Sequence, residues 1–162
     1  MKTDTKYFGE ITYEQEDLLT FPKGLYGFED EQSFLLLPFA ENGTLFSLQS
    51  VRTPQLSFIL MDPFSLDGSY APILQPDELR FLGVDRSEDL FYYVLCVVRE
   101  PVPDSTVNMR CPIAINDDGV SMQVILENTS WHMRHQLSEF HREADTEADP
   151  ERSNQQKEET LC

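Results

Sequence analysis

Ile113-Ala114-Ile115-Asn116-Asp117-Asp118-Gly119-Val120-Ser121-Met122-Gln123-Val124-Ile125-Leu126 carries two apolar arms around a polar turn. In the second arm Val120, Met122, Val124 and Leu126 share one face, while Ser121 and Gln123 point the other way. That is the period of two that a half-buried strand requires. Asp117-Asp118-Gly119 supplies the turn, so the stretch reads as a β-hairpin.

The neighbouring segments repeat this grammar. Leu90 to Arg99 is apolar on both faces, as a central strand must be. Phe34 to Phe39 and Thr44 to Gln49 flank Asn42-Gly43, a dipeptide suited to a tight hairpin turn. Leu56 to Met61 is a further strand, stopped at Asp62-Pro63, where the aspartate is expected to bond local backbone. A short helix is expected from Pro76 to Leu82. Proline suits its first position, Asp77 and Glu78 suit the positive end of its dipole, and Gly83 closes it. Ten prolines, several inside apolar stretches, keep the strands short, bulged or at edges. The fold class is therefore mainly β: a small antiparallel β-barrel or β-roll with one or two short helices.

The chain changes character near Asn128. Met133, Leu137, Phe140, Ala144 and Ala148 are spaced as a narrow helical stripe, ended by Asp149-Pro150. The stripe either caps the barrel or docks on a partner. Glu151 to Cys162 is polar and reads as disordered. Residues 1–137 thus form the β-barrel domain, and residues 138–162 an acidic extension, partly helical and then disordered.

The 162 residues carry 29 acids against 12 bases, a net charge of −17. From Ser138 onward there are eight acids and three bases, a net of −5, so the preceding 137 residues hold −12. A folded body that acidic repels phosphate backbones and anionic lipid and attracts basic surfaces. Direct nucleic-acid binding is set aside on this ground. The longest apolar run, Leu90 to Val98, is about half of the ~20 residues a membrane span needs. Three scattered cysteines, Cys96, Cys111 and Cys162, suit a reducing compartment, with Cys96 as a buried thiol. A cytoplasmic, soluble protein is expected.

Catalytic motifs are absent from the sequence. There is no glycine loop for phosphate and no Gly-x-Ser-x-Gly elbow. His132 and His135, with Glu139, have a spacing that metal ligands use, but Arg134 between them is a poor neighbour for a cation. Solvated or structural histidines are the better reading, and no metal or cofactor is expected. Phe21, Phe28, Phe34, Phe46, Phe58, Phe64, Phe81 and Phe91 are spread over nearly every element, which reads as core packing rather than one lined pocket. Glu29-Asp30-Glu31 is an exposed loop, either a solvated turn or an electrostatic contact for a basic partner.

Four ordered stretches carry a family resemblance. They are Leu19-Thr20-Phe21-Pro22-Lys23-Gly24-Leu25-Tyr26-Gly27-Phe28-Glu29, Phe46-Ser47-Leu48-Gln49-Ser50, Leu56 to Pro63, and Thr106 to Asn116. Followed by Gln123 to Leu126 and Arg134-His135, over residues 7–137, they resemble the FliW family of flagellar assembly factors. Tyr26 stands where that family often has proline, and the acidic extension after Leu137 is outside the shared pattern. The resemblance implies a cytoplasmic, non-enzymatic regulator with a barrel-like β fold. It further implies binding of newly made flagellin in the manner of a chaperone, and of CsrA, a small dimeric repressor of flagellin translation. Flagellin export would free the factor to capture CsrA and relieve repression, by an allosteric route rather than by covering the RNA site.

The contact residues do not follow from those motifs. The acidic loop Glu29, Asp30 and Glu31 and the stripe Met133, Leu137 and Phe140 are the partner-binding candidates, with a monomer favoured. The competing expectation is a small β-barrel that binds or hydrolyses a small molecule. A deep apolar pocket would favour it, and a filled barrel interior would count against it.

Overall fold

The computed structural model describes residues 1–41 and 43–140. Its strands are β1 (Lys2–Asp4), β2 (Glu10–Thr12), β3 (Leu18–Thr20), β4 (Ser33–Pro38), β5 (Leu45–Ser50), β6 (Ser57–Met61), β7 (Phe91–Val97), β8 (Thr106–Val107), β9 (Ile113–Ile115), β10 (Ser121–Gln123) and β11 (His135–Gln136). Two short helices, α1 (Pro63–Leu66) and α2 (Pro76–Leu82), lie between β6 and β7. The main sheet runs β10-β9-β7-β6-β5-β4-β3, every pair antiparallel, with β8 beside β7 and β11 beside β8. The mainly β, antiparallel fold with short helices is the expected class.

The sheet curls until its ends meet. Thr20 forms a single parallel bridge with Val120, and its N–H donates to the Gly119 carbonyl at 2.8 Å. Gly119 has φ +83°, and a Cβ there would stand 2.7 Å from the Leu18 carbonyl oxygen. Only glycine lets the two backbones approach this closely.

Alternation along the strands then builds two cores. Leu48, Leu60, Ile113 and Ile115 point inward with Phe21, Leu25 and Phe34, and Phe21 meets Phe34 edge-on at 5.3 Å between ring centres. Val94, Cys96, Ala114 and Met122 point outward and are covered by Tyr70, Leu74, Leu82, Met109, Val124 and Leu137. β7 is central, as expected: β6 lines one edge, while β9 and β8 share the other. Its residues alternate between the two cores, with Tyr93 and Leu95 inward and Tyr92, Val94 and Cys96 outward. The two-sided apolar character of this stretch has that cause.

The β1–β2 hairpin is a separate two-stranded sheet. It is tied to β5 through the buried Gln49, whose Oε1 accepts from the Lys6 N–H at 2.9 Å. The two hydrogens of the Gln49 amide nitrogen are shared among the carbonyls of Ser50, Pro54 and Leu56. A fully buried amide is tolerable only when bonded this completely.

Local chemistry placed α2 correctly. Gln75 and Glu78 form a reciprocal capping box, Pro76 opens the helix, and Gly83 closes it in the left-handed conformation. Asp62 caps α1 by accepting from the Phe64 N–H at 2.9 Å, the local bond expected of it.

Four expectations need correction. The β4–β5 turn is wider than a two-residue hairpin: Phe39 N–H donates to Leu45, and residues 39–44 lie between the strands. Phe39 leaves the ladder to meet Tyr7 and Phe8, with ring centres 5.5 and 5.3 Å away. Ser121 and Gln123 face the barrel interior and are buried, so β10 is covered on both faces. The phenylalanines are not all core: Phe21 and Phe34 are, but Phe28, Phe64 and Phe91 are exposed.

The fourth correction concerns the C-terminal stripe. Met133 is not helical, and His135–Gln136 form a strand paired with β8, so the helical residues begin only at 137. Leu137 N–H donates to Ser105 at 2.8 Å, which docks this segment on the outer core. The stripe positions Ala144 and Ala148, and the stretch expected to be disordered, lie outside the described residues.

Candidate functional site

The acidic loop is shaped from within. Phe28 N–H donates to Leu25 and Gly24 N–H to Phe21, forming consecutive turns. Gly24 has φ +67°, and a Cβ there would lie 2.5 Å from the Glu29 Cα. Gln123 supports the loop from beneath. Its Oε1 accepts from the Tyr26 N–H at 3.2 Å, and its amide nitrogen donates to the Cys111 carbonyl at 3.3 Å.

The three acids of the loop differ in role. Glu29 accepts from the Gly27 N–H at 3.0 Å and stays exposed. Asp30 is exposed, and its backbone carbonyl takes a bond from the Arg52 guanidinium at 3.0 Å. Glu31 is a clasp: Ser50 and Thr53 hydroxyls donate to its two oxygens at 2.6 and 2.8 Å. The Ser50 hydroxyl bond, aided by Thr53 and Arg52, holds the Glu31 carboxyl below the usual glutamate range despite its partial burial.

Glu29 also borders a cleft of about 300 Å³ between the loop and α2, where Asp77 and Glu78 add two more carboxylates. Lys23 lies over the Phe81 ring there, 4.5 Å from its centre. This wall is acidic, with one lysine held against an aromatic face.

The second candidate group does not form one helical face. Met133 is exposed, Leu137 is buried in the outer core, and Phe140 packs beside Trp131 and His135. His135 is structural. Its Nε2 accepts from the His132 N–H at 2.8 Å, so the proton sits on Nδ1, 3.3 Å from Glu139. Glu139 in turn accepts from the Gln136 N–H at 2.6 Å. The ring and carboxylate considered as metal ligands are thus committed to holding this turn. Among the described residues, no group of three or more His, Cys, Asp and Glu is arranged to hold a metal ion.

A further feature escaped the sequence. Phe64, Ile73 and Phe91 stand exposed around two adjoining hollows of about 440 and 170 Å³, floored by Leu90 and Tyr92. Aromatic contacts continue from Phe64 through Tyr70 and Trp131 to Phe140, with ring centres 5.7, 5.5 and 6.4 Å apart. Periodicity locates such residues on strands and turns but does not say which face another element covers.

The two described cysteines, Cys96 and Cys111, are buried thiols. Burial raises the Cys96 thiol to about 11 and also raises Cys111, so both are protonated at neutral pH. Among the described residues, no helix is long and apolar enough to cross a membrane.

The chain matches the family model described as FliW protein over residues 2–137. It is 40% identical over 138 residues to the flagellar assembly factor FliW of Geobacillus sp. (strain WCH70), covering 85% of this chain and 95% of that one. The Heliobacterium modesticaldum flagellar assembly factor FliW is 34% identical over 149 residues, covering 91% and 96%. A crystal structure of a flagellar assembly factor FliW superposes with a TM-score of 0.78 at 37% identity, over 85% of this chain and 96% of the other. With the family model matched over residues 2–137, a shared fold and extensive overlap with these relatives, the chain belongs to the FliW family of flagellar assembly factors.

Proposed function

We infer that this chain is a cytoplasmic, non-enzymatic regulator of flagellum assembly that works by exchanging protein partners. It binds flagellin as a chaperone does and, when flagellin is exported, captures the translational repressor CsrA. Membership of the FliW family carries this reading. The charge distribution supports it: an acidic folded body approaches a basic RNA-binding protein readily and nucleic acid poorly. Glu29 and Asp30 present charge on the loop that Glu31 fixes, and Met133 and Phe140 present apolar surface near the docked Leu137. Residues 1–137 act as the folded binding domain, as a monomer, and residues 138–162 as its acidic extension.

The small-molecule alternative is weaker because side chains of Phe21, Phe34, Leu48 and Leu60, all fully buried, fill the barrel interior. The test is a pull-down of purified flagellin and purified CsrA by this protein. Two separate complexes are expected, and binding of neither at micromolar concentration in moderate salt would sink the reading.

A further inference from the structure

The paired hollows around Phe64 have a chemistry of their own. Ile73 is 74% exposed, Phe91 56% and Phe64 42%, three large apolar side chains facing water within one surface. Isolated exposed apolar residues are ordinary, but a cluster around a concavity marks an interaction site.

The floor is selective. Tyr70 and Tyr92 line the larger hollow, yet both hydroxyls are already engaged as donors, to Met109 O at 2.7 Å and Ser87 O at 2.6 Å. What they offer an occupant is ring surface. The two hollows share Phe64, Leu90 and Tyr92, so side chains entering them would straddle the Phe64 ring.

The rim is acidic. Asp62 borders the smaller hollow and Glu88 the larger, and among the described residues no lysine or arginine lines either. Arg86 is paired with Glu88 at 2.7 Å, so the negative charge left on this edge is that of Asp62 and of the exposed Asp89 next in the chain. An apolar seat with a negative edge fits a surface that sets large apolar side chains beside a lysine or arginine.

We propose that the groove around Phe64, Ile73 and Phe91 is the docking seat for the basic partner, filled by two of its large apolar side chains with a cationic one against Asp62. This rests on the partner-exchange reading, in which CsrA is the basic protein. It places the energetic centre of that complex on the α1 and Ile73 surface and leaves the acidic loop to steer approach.

Ile73→Glu and Phe64→Ala test it, with affinity for purified CsrA and flagellin measured by calorimetry and folding checked by circular dichroism. Ile73 is so exposed that its replacement is expected to leave the fold intact. CsrA affinity is expected to fall at least ~10-fold in Ile73→Glu and by a similar factor in Phe64→Ala, with flagellin binding within about twofold of wild type. Unchanged CsrA affinity in both folded variants overturns the proposal. So does loss of flagellin binding alone, or a wild-type dimer that Ile73→Glu dissociates, since each gives the groove another occupant. If wild-type protein binds neither partner, the functional reading has failed before any variant is compared.

Discussion

Ser50 donates its hydroxyl to Glu31 at 2.6 Å, and in the same geometry its oxygen accepts the N–H groups of Arg52 and Thr53 at 3.1 and 2.9 Å. One hydroxyl therefore couples the acidic loop to the turn after β5. Glu31→Ala removes the acceptor for both Ser50 and Thr53 and is expected to cost about 1–2 kcal/mol at neutral pH. The Glu31 carboxyl is held below its ordinary value of 4.5, so its contribution is complete above that value. It is lost as pH falls through the lowered folded value. Urea unfolding of both proteins should show their stability gap at pH 7 and its closure on strong acidification.

Gly119→Ala attacks the seam of the sheet. The new Cβ combines a positive φ with a 2.7 Å approach to the Leu18 carbonyl, so β3 and β10 must separate. A loss of at least ~2 kcal/mol is expected. Gly27→Ala, also at positive φ but with nothing within 4 Å, should cost less. Equal thermal midpoints for the two variants would remove the steric account.

Gln123→Leu keeps the volume but strands the Tyr26 N–H and the Cys111 carbonyl, at a cost of about 1–3 kcal/mol. Because the first of these bonds holds the loop, hydrogen exchange at Tyr26 to Glu31 should rise more than exchange in β5 and β6.

Shortening the chain separates docking from charge. A chain ending at Leu137 lacks the Glu139 carboxylate that holds His135 and Gln136, and the Phe140 ring beside Trp131. Compared with a chain ending at Phe140, it is expected to be about 1–3 kcal/mol less stable, read by denaturant melts. Partner affinities compared across a cut should therefore use the chain ending at Phe140.

Electrostatic steering has its own signature. If the acidic body guides the CsrA encounter, stopped-flow association should slow steeply between low and physiological salt, while dissociation changes little. A salt-independent association rate would separate binding from steering.

Much of this architecture was readable where its causes are local. Pro76, Glu78 and Gly83 specify a helix by their own chemistry, and Asp117-Asp118-Gly119 specifies a turn. β11 was not readable, because its two residues gain strand geometry only from pairing with Thr106 and Val107. Leu137 and Phe140 retain helical spacing although the segment before them is extended. Burial of Ser121 and Gln123 likewise depends on distant partners: a polar residue alternating with apolar ones reads as solvated until Tyr26 and Cys111 are brought to it. The exposure of Phe64 and Phe91 belongs to the same class, since only the finished fold decides which faces remain uncovered.

The inner core also imposes an order on biosynthesis. Phe21 and Phe34 leave the ribosome early, whereas Ile113 and Ile115, which complete their enclosure, follow some eighty residues later. The first half of the chain must therefore wait with its largest rings unsheltered, and a fragment released before Pro112 has no finished interior to fold around. A protein placed in this family of assembly factors thus has its inner core left open, during its own synthesis, until more than two thirds of the chain has been made.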